Sequence, residues 1–157
     1  MKRIILFVWV FIVFFVSCEN FDEPDEKKDY RFMVNGAEIA VGARVDEVIN
    51  KIGKYDALDT SPSCAIDGTD EIYIYKGFRI IAHKSENSHI ISSIEITNDT
   101  VSTPEGIKIG EDENQVIKIY GDGFERQGER MIYEGATSRL SIGIRNNKVS
   151  SIRYIAK

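Results

Sequence analysis

The chain has 157 residues, 20 of them basic and 25 acidic, which gives a formal net charge of −5. Residues 1–17 carry two basic and no acidic side chains, so the remaining 140 residues have a net charge of −7. That length predicts one domain, and the acidic balance argues against a protein whose work depends on binding nucleic acid.

The N-terminal segment predicts a lipid anchor. A basic start is followed by an apolar run over residues 4–16 and then by Ser17, the order of a secretory signal peptide. The run would make about 20 Å of helix, too short for a hydrocarbon core of roughly 30 Å. The letters FVSC at residues 15–18 resemble a bacterial lipobox. This resemblance implies cleavage after residues 1–17, acylation of Cys18, for example by palmitate, and attachment to the extracytoplasmic face of the cell membrane. An uncleaved anchor and ordinary secretion are the alternatives.

Residues 18–30 form a highly charged stretch next to the predicted anchor. Between residues 19 and 29 only Phe21 is clearly apolar, and such a segment cannot bury enough apolar surface to offset the entropy of ordering it. We therefore expect a disordered tether that holds the domain away from the membrane.

Cys64 is the only other cysteine. With Cys18 acylated, no disulfide can form within the mature chain. Free cysteine is among the most buried residue types, so we expect Cys64 to be buried; an intermolecular disulfide or a redox role is the alternative.

The remainder of the chain contains an internal repeat. Gly42 and Gly53 lie eleven residues apart, as do Gly110 and Gly121, and a Val-Ile pair follows the first glycine at six and seven residues in both copies. Two later blocks agree in the same order: YKG at 75–77 with YEG at 133–135, and ISSI at 91–94 with VSSI at 149–152. This pattern predicts repeats over residues 31–100 and 101–157.

Each repeat has the local patterns of one short helix followed by strands. Val45, Val48 and Ile52 recur with helical spacing, and a glycine then offers a left-handed end to the helix. In the second copy Asp112 is placed to cap the helix. Alternating apolar and polar residues follow, separated by turn residues at 76–77 and 146–148. The predicted fold class is α+β, with two tandem repeats, each a short helix packed on a small three- to four-stranded antiparallel sheet.

The repeated motif Val-Gly-x₃-Asp-Glu-Val-Ile-x₂-Ile-Gly, with its antiparallel strands, resembles the α/β modules of β-lactamase inhibitory protein and of SmpA/OmlA-type lipoproteins. Residues 61–78 are similar to a stretch in uncharacterised lipoproteins of Gram-positive bacteria. The resemblance covers residues 31–155 and implies a scaffold that binds proteins with its sheet face and loops. The inhibitor's partner-contacting loops have no match in this sequence, so inhibition of β-lactamase does not follow.

No catalytic set is recognisable. The only histidines, His83 and His89, are expected in an exposed loop, and no Gly-x-Ser-x-Gly elbow is present. A metal site that joins them to Glu86 would lack the usual ligand spacing. Residues 67–71 look like part of a calcium loop but lack the central glycine and distal glutamate of an EF-hand. We therefore predict no enzyme activity, no cofactor and no metal.

Three tyrosines are candidates for binding a partner. Tyr73 and Tyr75 share one face of a predicted strand, and Tyr133 matches Tyr75 in the second repeat. Tyrosine is enriched at protein interfaces. The alternative is that these rings cover the sheet core or pack between the two copies.

Taken together, these features predict a membrane-anchored surface lipoprotein that acts as a non-catalytic protein- or envelope-binding module. The first alternative is an inhibitor of a secreted or periplasmic enzyme. The second is a small envelope hydrolase with an unrecognised pair of carboxylates. The partner itself is not identified by any motif.

Overall fold

The computed structural model describes residues 28–63 and 68–157. The predicted signal peptide, Cys18, most of the predicted tether and Cys64 lie outside the described residues. Within the described part, no helix is long and apolar enough to cross a membrane. The elements in chain order are β1 (Phe32–Val34), β2 (Ala37–Ile39), α1 (Val45–Ile52), β3 (Ala57–Pro62), β4 (Thr69–Tyr75), β5 (Phe78–Lys84), β6 (His89–Ile96), α2 (Glu113–Tyr120), β7 (Glu125–Gln127), β8 (Arg130–Glu134), β9 (Ser138–Arg145) and β10 (Lys148–Ala156).

Strands β3 to β10 form one antiparallel sheet in the order β3-β4-β5-β6-β10-β9-β8-β7, and β1 pairs with β2 in a separate hairpin. The prediction of two tandem repeats, each with a helix on its own small sheet, was wrong, because the described part is mainly β and its eight-stranded sheet is continuous. The two groups of four strands meet where β6 pairs with β10. Two separate sheets would leave both strands with a row of unpaired backbone groups, and the pairing removes these two edges.

The two helices are short and depend on the core. Each has eight residues, a length that is marginal for an isolated helix, and each buries valines, Val48 in α1 and Val116 in α2. The glycines that follow, Gly53 and Gly121, have φ of 93° and 83° with ψ near 180°. That backbone region is open almost only to glycine. The predicted helix ends are therefore at the right residues, although ψ is extended rather than left-handed helical.

The core lies on one face of the sheet. One row of paired positions runs across six strands and is formed by Tyr73, Ile80, Ile94, Tyr154, Leu140 and Tyr133. All six side chains are buried, and both helices and the β1–β2 hairpin contribute to the same apolar cluster. Because side chains alternate between the faces of a strand, the residues between these positions point to the other face.

The start of the described chain is attached to the β8–β9 turn. Asp29 accepts hydrogen bonds from the backbone and hydroxyl of Thr137, both at 2.6 Å, and from Ser138. The bonds from Thr137 lower the pKa of Asp29 to about 2. Residues 28–30, assigned from the sequence to the tether, thus contact the domain.

Candidate binding face

The face of the sheet opposite the core carries a row of charged residues. Pairing between strands places Arg79 on β5 opposite Glu95 on β6, Glu95 opposite Arg153 on β10, and Arg153 opposite Ser141 on β9. Ile132 on β8 continues the row. We call this side of β4 to β10 the outer face.

Glu95 holds the middle of this row. Its carboxylate is largely buried and forms ion pairs with the guanidinium groups of Arg79 and Arg153 from the two neighbouring strands. Opposite charges directly across a strand pair stabilise a sheet by about 0.2–1 kcal/mol each. Glu95 therefore fixes two arginines at the centre of the outer face.

Two adjoining grooves lie on the outer face. The larger has a volume of about 360 Å³ and is lined by residues that include Arg79, Glu95 and Arg153. The smaller has a volume of about 200 Å³. Arg130 and Ser141 line both grooves, so the two are parts of one surface depression.

The outer face is more basic than the chain as a whole. Arg79, Arg130, Arg139 and Arg153 occupy outward positions on its central strands, against Glu95 and Glu134 there and Glu125 on the edge strand β7. Glu134 pairs with Arg139 at 2.8 Å. A basic surface on a chain with a net charge of −5 indicates a site for an anionic group.

The two histidines have separate sets of polar partners. The prediction that both lie in an exposed loop was wrong, because they lie in strands β5 and β6. His83 is only 7% exposed, and its Nδ1 lies 3.1 Å from Asp70 Oδ1. The side chain of His89 is 18% exposed. A bulge between residues 81 and 82 changes the local register of β5, and simple alternation does not anticipate this.

Glu71 is the centre of the cluster around His89. Its Oε1 accepts a hydrogen bond from Lys84 at 2.8 Å, and its Oε2 accepts one from the Tyr73 hydroxyl. His89 Nε2 lies 3.0 Å from the same carboxylate, and His89 Nδ1 lies 3.6 Å from Asp46. Burial alone would raise the pKa of Glu71, but the hydrogen bonds and the nearby cations lower it. Burial and the adjacent carboxylate raise the pKa of Tyr73.

This cluster has the contacts of a structural network. The polar groups named above are partners of one another, and they include no serine, threonine or cysteine that His89 could activate. In residues 28–63 and 68–157 no group of three His, Cys, Asp or Glu side chains is arranged to hold a metal ion. The cluster stabilises the contact between β4, β6 and the start of α1.

Two of the three candidate tyrosines belong to the core. Tyr73 is 4% exposed and Tyr133 is 2% exposed. The Tyr133 hydroxyl donates a hydrogen bond to the carbonyl of Gly121 at 3.0 Å. Rings so deeply buried present almost no area to a partner, so the interface role predicted for Tyr73 and Tyr133 does not fit their positions.

Tyr75 is half-buried and stacks on Phe78 with 4.7 Å between the ring centres. Its hydroxyl donates to the carbonyl of Gly53 at 3.1 Å. The ring lines a cleft of about 470 Å³ together with Lys54. A partner can reach Tyr75, in contrast to the other two candidates.

The arginines of the outer face were not identified from the sequence. A signal was present, because Phe78-Arg79-Ile80, Ile94-Glu95-Ile96 and Ile152-Arg153-Tyr154 each place one charged residue between two apolar ones. This pattern puts each charge on the open side of its strand. It does not show that the three strands are neighbours.

No protein-family profile matches this chain, and no curated protein matches its sequence. The fold is similar to that of a chain described as an extracellular protein containing a SCP domain from Bacillus anthracis str. Ames, whose crystal structure has a resolution of 1.5 Å. The TM-score is 0.55 with 15% sequence identity, over 74% of this chain and 44% of that chain. This chain thus spans less than half of that protein, and the likeness concerns the fold alone.

Proposed function

We propose that this protein is a non-catalytic binding module that contacts a protein or envelope component through its outer face. The observation that carries the proposal is the row of Arg79, Glu95 and Arg153 across the centre of the sheet. The opposite face is closed by the core, whereas this row lies in a groove with two ion pairs at its centre. Glu95 is largely buried, whereas the side chains of Arg79 and Arg153 remain about half exposed, so a ligand can reach both guanidinium groups.

We place this module outside the cytoplasm, held to the membrane by acyl chains on Cys18. The order of charges, apolar residues and Ser17 before Cys18 supports this location. The structural neighbour is itself described as an extracellular protein, which agrees with it. Metabolic labelling with a palmitate analogue tests the anchor: the wild type should incorporate the label and Cys18→Ala should not, and labelling of both or of neither would contradict it.

Site-specific photocrosslinking in intact cells tests the binding face. A benzophenone amino acid replaces Arg139, which lies on the outer face beside the central row, or Ile74, which pairs with Arg79 at the end of that row. In matched controls it replaces Lys51 on α1 or Lys118 on α2, both of which are exposed. We expect adducts from the outer-face positions and none from the helix positions.

Adducts from the helix positions alone, or equally from both faces, would overturn the assignment of the outer face. Absence of any adduct, together with a hydrolase activity that is lost in His89→Ala, would overturn the non-catalytic proposal as a whole. Mass spectrometry of the adducts identifies the partner and separates a protein from a polymer of the envelope.

A further inference from the structure

Two polar groups in the larger groove have no partner among the described residues. Ser141 is 6% exposed, yet its hydroxyl makes no hydrogen bond within residues 28–63 and 68–157. Within the same part of the chain, the guanidinium of Arg130 has no ion pair or hydrogen bond. Both groups point donors into the groove that no other described residue uses, so they are suited to a ligand that supplies acceptors.

The register of the sheet places these donors around one small area. Arg130 on β8 and Ser151 on β10 both face Gly143 on β9. The neighbouring row holds Ser141 and Arg153. Strands lie about 4.8 Å apart, and positions two residues along a strand about 6.8 Å apart. The two arginines thus occupy opposite corners of a rectangle whose other polar positions are serines.

Gly143 forms the floor between two of these groups. A Cβ on Gly143 would lie 2.3 Å from the Ser151 hydroxyl oxygen. The Ser151 hydroxyl thus lies directly over Gly143, where a larger residue would push it away, and it stands beside the position of Arg130.

We propose that this groove binds a phosphate ester, with Arg130 and Arg153 contacting the phosphate from opposite sides and Ser141 donating from below. The proposal rests on the binding role of the outer face and names the ligand class for it. Guanidinium groups match phosphate oxygens in pairs. Three arginines and one glutamate line the groove, so it attracts an anion despite the acidic chain.

The arrangement favours phosphate over carboxylate. A carboxylate has two oxygens in one plane, whereas a phosphate ester has acceptor oxygens that point in several directions. Arg130 and Arg153 approach from opposite corners of the rectangle, so they require acceptors that point in different directions. The volume of about 360 Å³ exceeds that of the phosphate alone, and Ile109 and Ile155 also line the groove. The ligand is therefore a phosphate with a carbon substituent that packs on these isoleucines.

Isothermal titration of the full-length protein in detergent tests this proposal. The probes are glycerol 3-phosphate, glycerophosphoglycerol as a lipid headgroup, and poly(glycerol phosphate) as a soluble polymer. Poly-glutamate represents acidic peptides. We expect phosphate esters to bind and poly-glutamate to bind at least tenfold more weakly. Tighter binding of the polymer than of the headgroup assigns the site to a polymer, and the reverse order assigns it to lipid.

Variants separate the groove from general charge. Arg130→Gln and Arg153→Gln should each weaken phosphate-ester binding about tenfold or more. The matched control is Arg145→Gln, because this exposed arginine on β9 pairs with Glu129 and does not line the groove; its affinity should equal that of the wild type. Ser141→Ala should also bind phosphate esters more weakly. Its melting temperature should stay the same or rise, since the hydroxyl forms no hydrogen bond with another residue in the part of the chain that the structure describes.

Absence of phosphate-ester binding, equal losses in Arg145→Gln and Arg130→Gln, or binding of poly-glutamate as tight as that of the phosphate polymer would overturn the inference. If these results occur while the outer-face crosslinks persist, the ligand class is wrong and the binding face stands. If the crosslinks are lost as well, both proposals fail.

Discussion

The first half of the domain, α1 with β3–β6, and the second half, α2 with β7–β10, share the same framework contacts. In the first half the Gly42 amide donates to the Ile91 carbonyl at 2.7 Å, and in the second the Gly110 amide donates to the Val149 carbonyl at 2.8 Å. These bonds attach the chain before each helix to β6 and β10. The central pair of strands thus holds both helices in equivalent positions.

The same agreement holds where each helix ends. Tyr75 donates to the carbonyl of Gly53 in the first half, and Tyr133 donates to that of Gly121 in the second. A glycine with positive φ and a tyrosine hydroxyl therefore form one device that appears in both halves. Its repeated use indicates that the path of the backbone depends on it.

The side chains packed within this framework differ. Two residues before these tyrosines, the first half has Tyr73, hydrogen-bonded to Glu71, and the second has the fully buried Met131. His89 precedes Ile91 by two residues in β6, and Asn147 precedes Val149 in the same way. The first half thus contains a paired polar network that includes Tyr73, whereas the second has the apolar Met131 at the position of Tyr73. The backbone contacts are the same in both halves, whereas the side chains packed on them differ in polarity.

The largest expected effect tests the two hydrogen-bonded tyrosines. Tyr133→Ala should lower the free energy of unfolding by about 3–5 kcal/mol, because it removes a ring from the centre of the core. Tyr75→Ala should cost only about 2 kcal/mol, since that ring is half-buried. Urea unfolding measures both.

The matched phenylalanine variants isolate the hydroxyls. Tyr133→Phe and Tyr75→Phe should each cost about 1 kcal/mol, since each loses one hydrogen bond to a glycine carbonyl. Equal costs for the two alanine variants, or a negligible cost for both phenylalanine variants, would contradict the roles assigned to the rings and hydroxyls.

A smaller effect tests the polar network of the first half. Glu71→Gln should lower the free energy of unfolding at pH 7 by about 2 kcal/mol, because Lys84 loses a charged partner. The folded state lowers the pKa of Glu71 below its ordinary value of 4.5. The stabilisation is therefore present above pH 4.5 and lost as the pH falls through the lower folded-state pKa. The difference between wild type and variant should shrink over that range in urea titrations.

Glu129→Gln provides the control in the second half. Glu129 lies two residues before Met131, as Glu71 lies before Tyr73, but it is exposed, and among the described residues its ion pair is with Arg145 at 3.5 Å. The change should be within about 0.5 kcal/mol. A loss at Glu129 as large as that at Glu71, or a gap between wild type and Glu71→Gln that does not depend on pH, would show that the network does not stabilise the fold.

Local features of the fold were predictable from the sequence. The apolar spacing from Val45 to Ile52 predicted α1, and the turn at residues 146–148 is confirmed by positive φ at Asn146 and Asn147. Both features depend on residues that are close together in the sequence, so a local sequence pattern is enough to predict them. The ends of the helices were also identified, because the backbone there is open almost only to glycine.

The pairing of β6 with β10 left no such signal. These strands are separated in the sequence by α2 and three further strands, and neither contains a short pattern that predicts pairing with the other. The outer face follows from that pairing, because it brings Arg153 next to Glu95. For the same reason the sequence led to three tyrosines as candidate contacts, two of which the pairing places in the core. Recognition of the candidate site therefore required the complete sheet order.

The smallest expected effect tests a contact that differs between the halves, the cap at the start of each helix. The side chain of Asp112 accepts a hydrogen bond from the Asn114 amide at 3.0 Å, whereas Arg44 before α1 forms no such cap. Asp112→Ala should cost about 1 kcal/mol. Arg44→Ser should stabilise the fold by a few tenths of a kcal/mol, because the extended backbone at this position suits a capping serine.

The gain from Arg44→Ser is limited by what the arginine already contributes. Its contacts with Asp46 at 3.5 Å and Glu47 at 3.8 Å are exposed, and exposed pairs are worth little. The two helix starts lie in different halves of the sheet, so their effects should add. The double variant should then unfold at a urea concentration between those of Asp112→Ala and the wild type. If Arg44→Ser is destabilising, the ion pairs of Arg44 contribute more stability than a serine cap would. The start of α1 is then stabilised by the acidic residues of its first turn rather than by a cap.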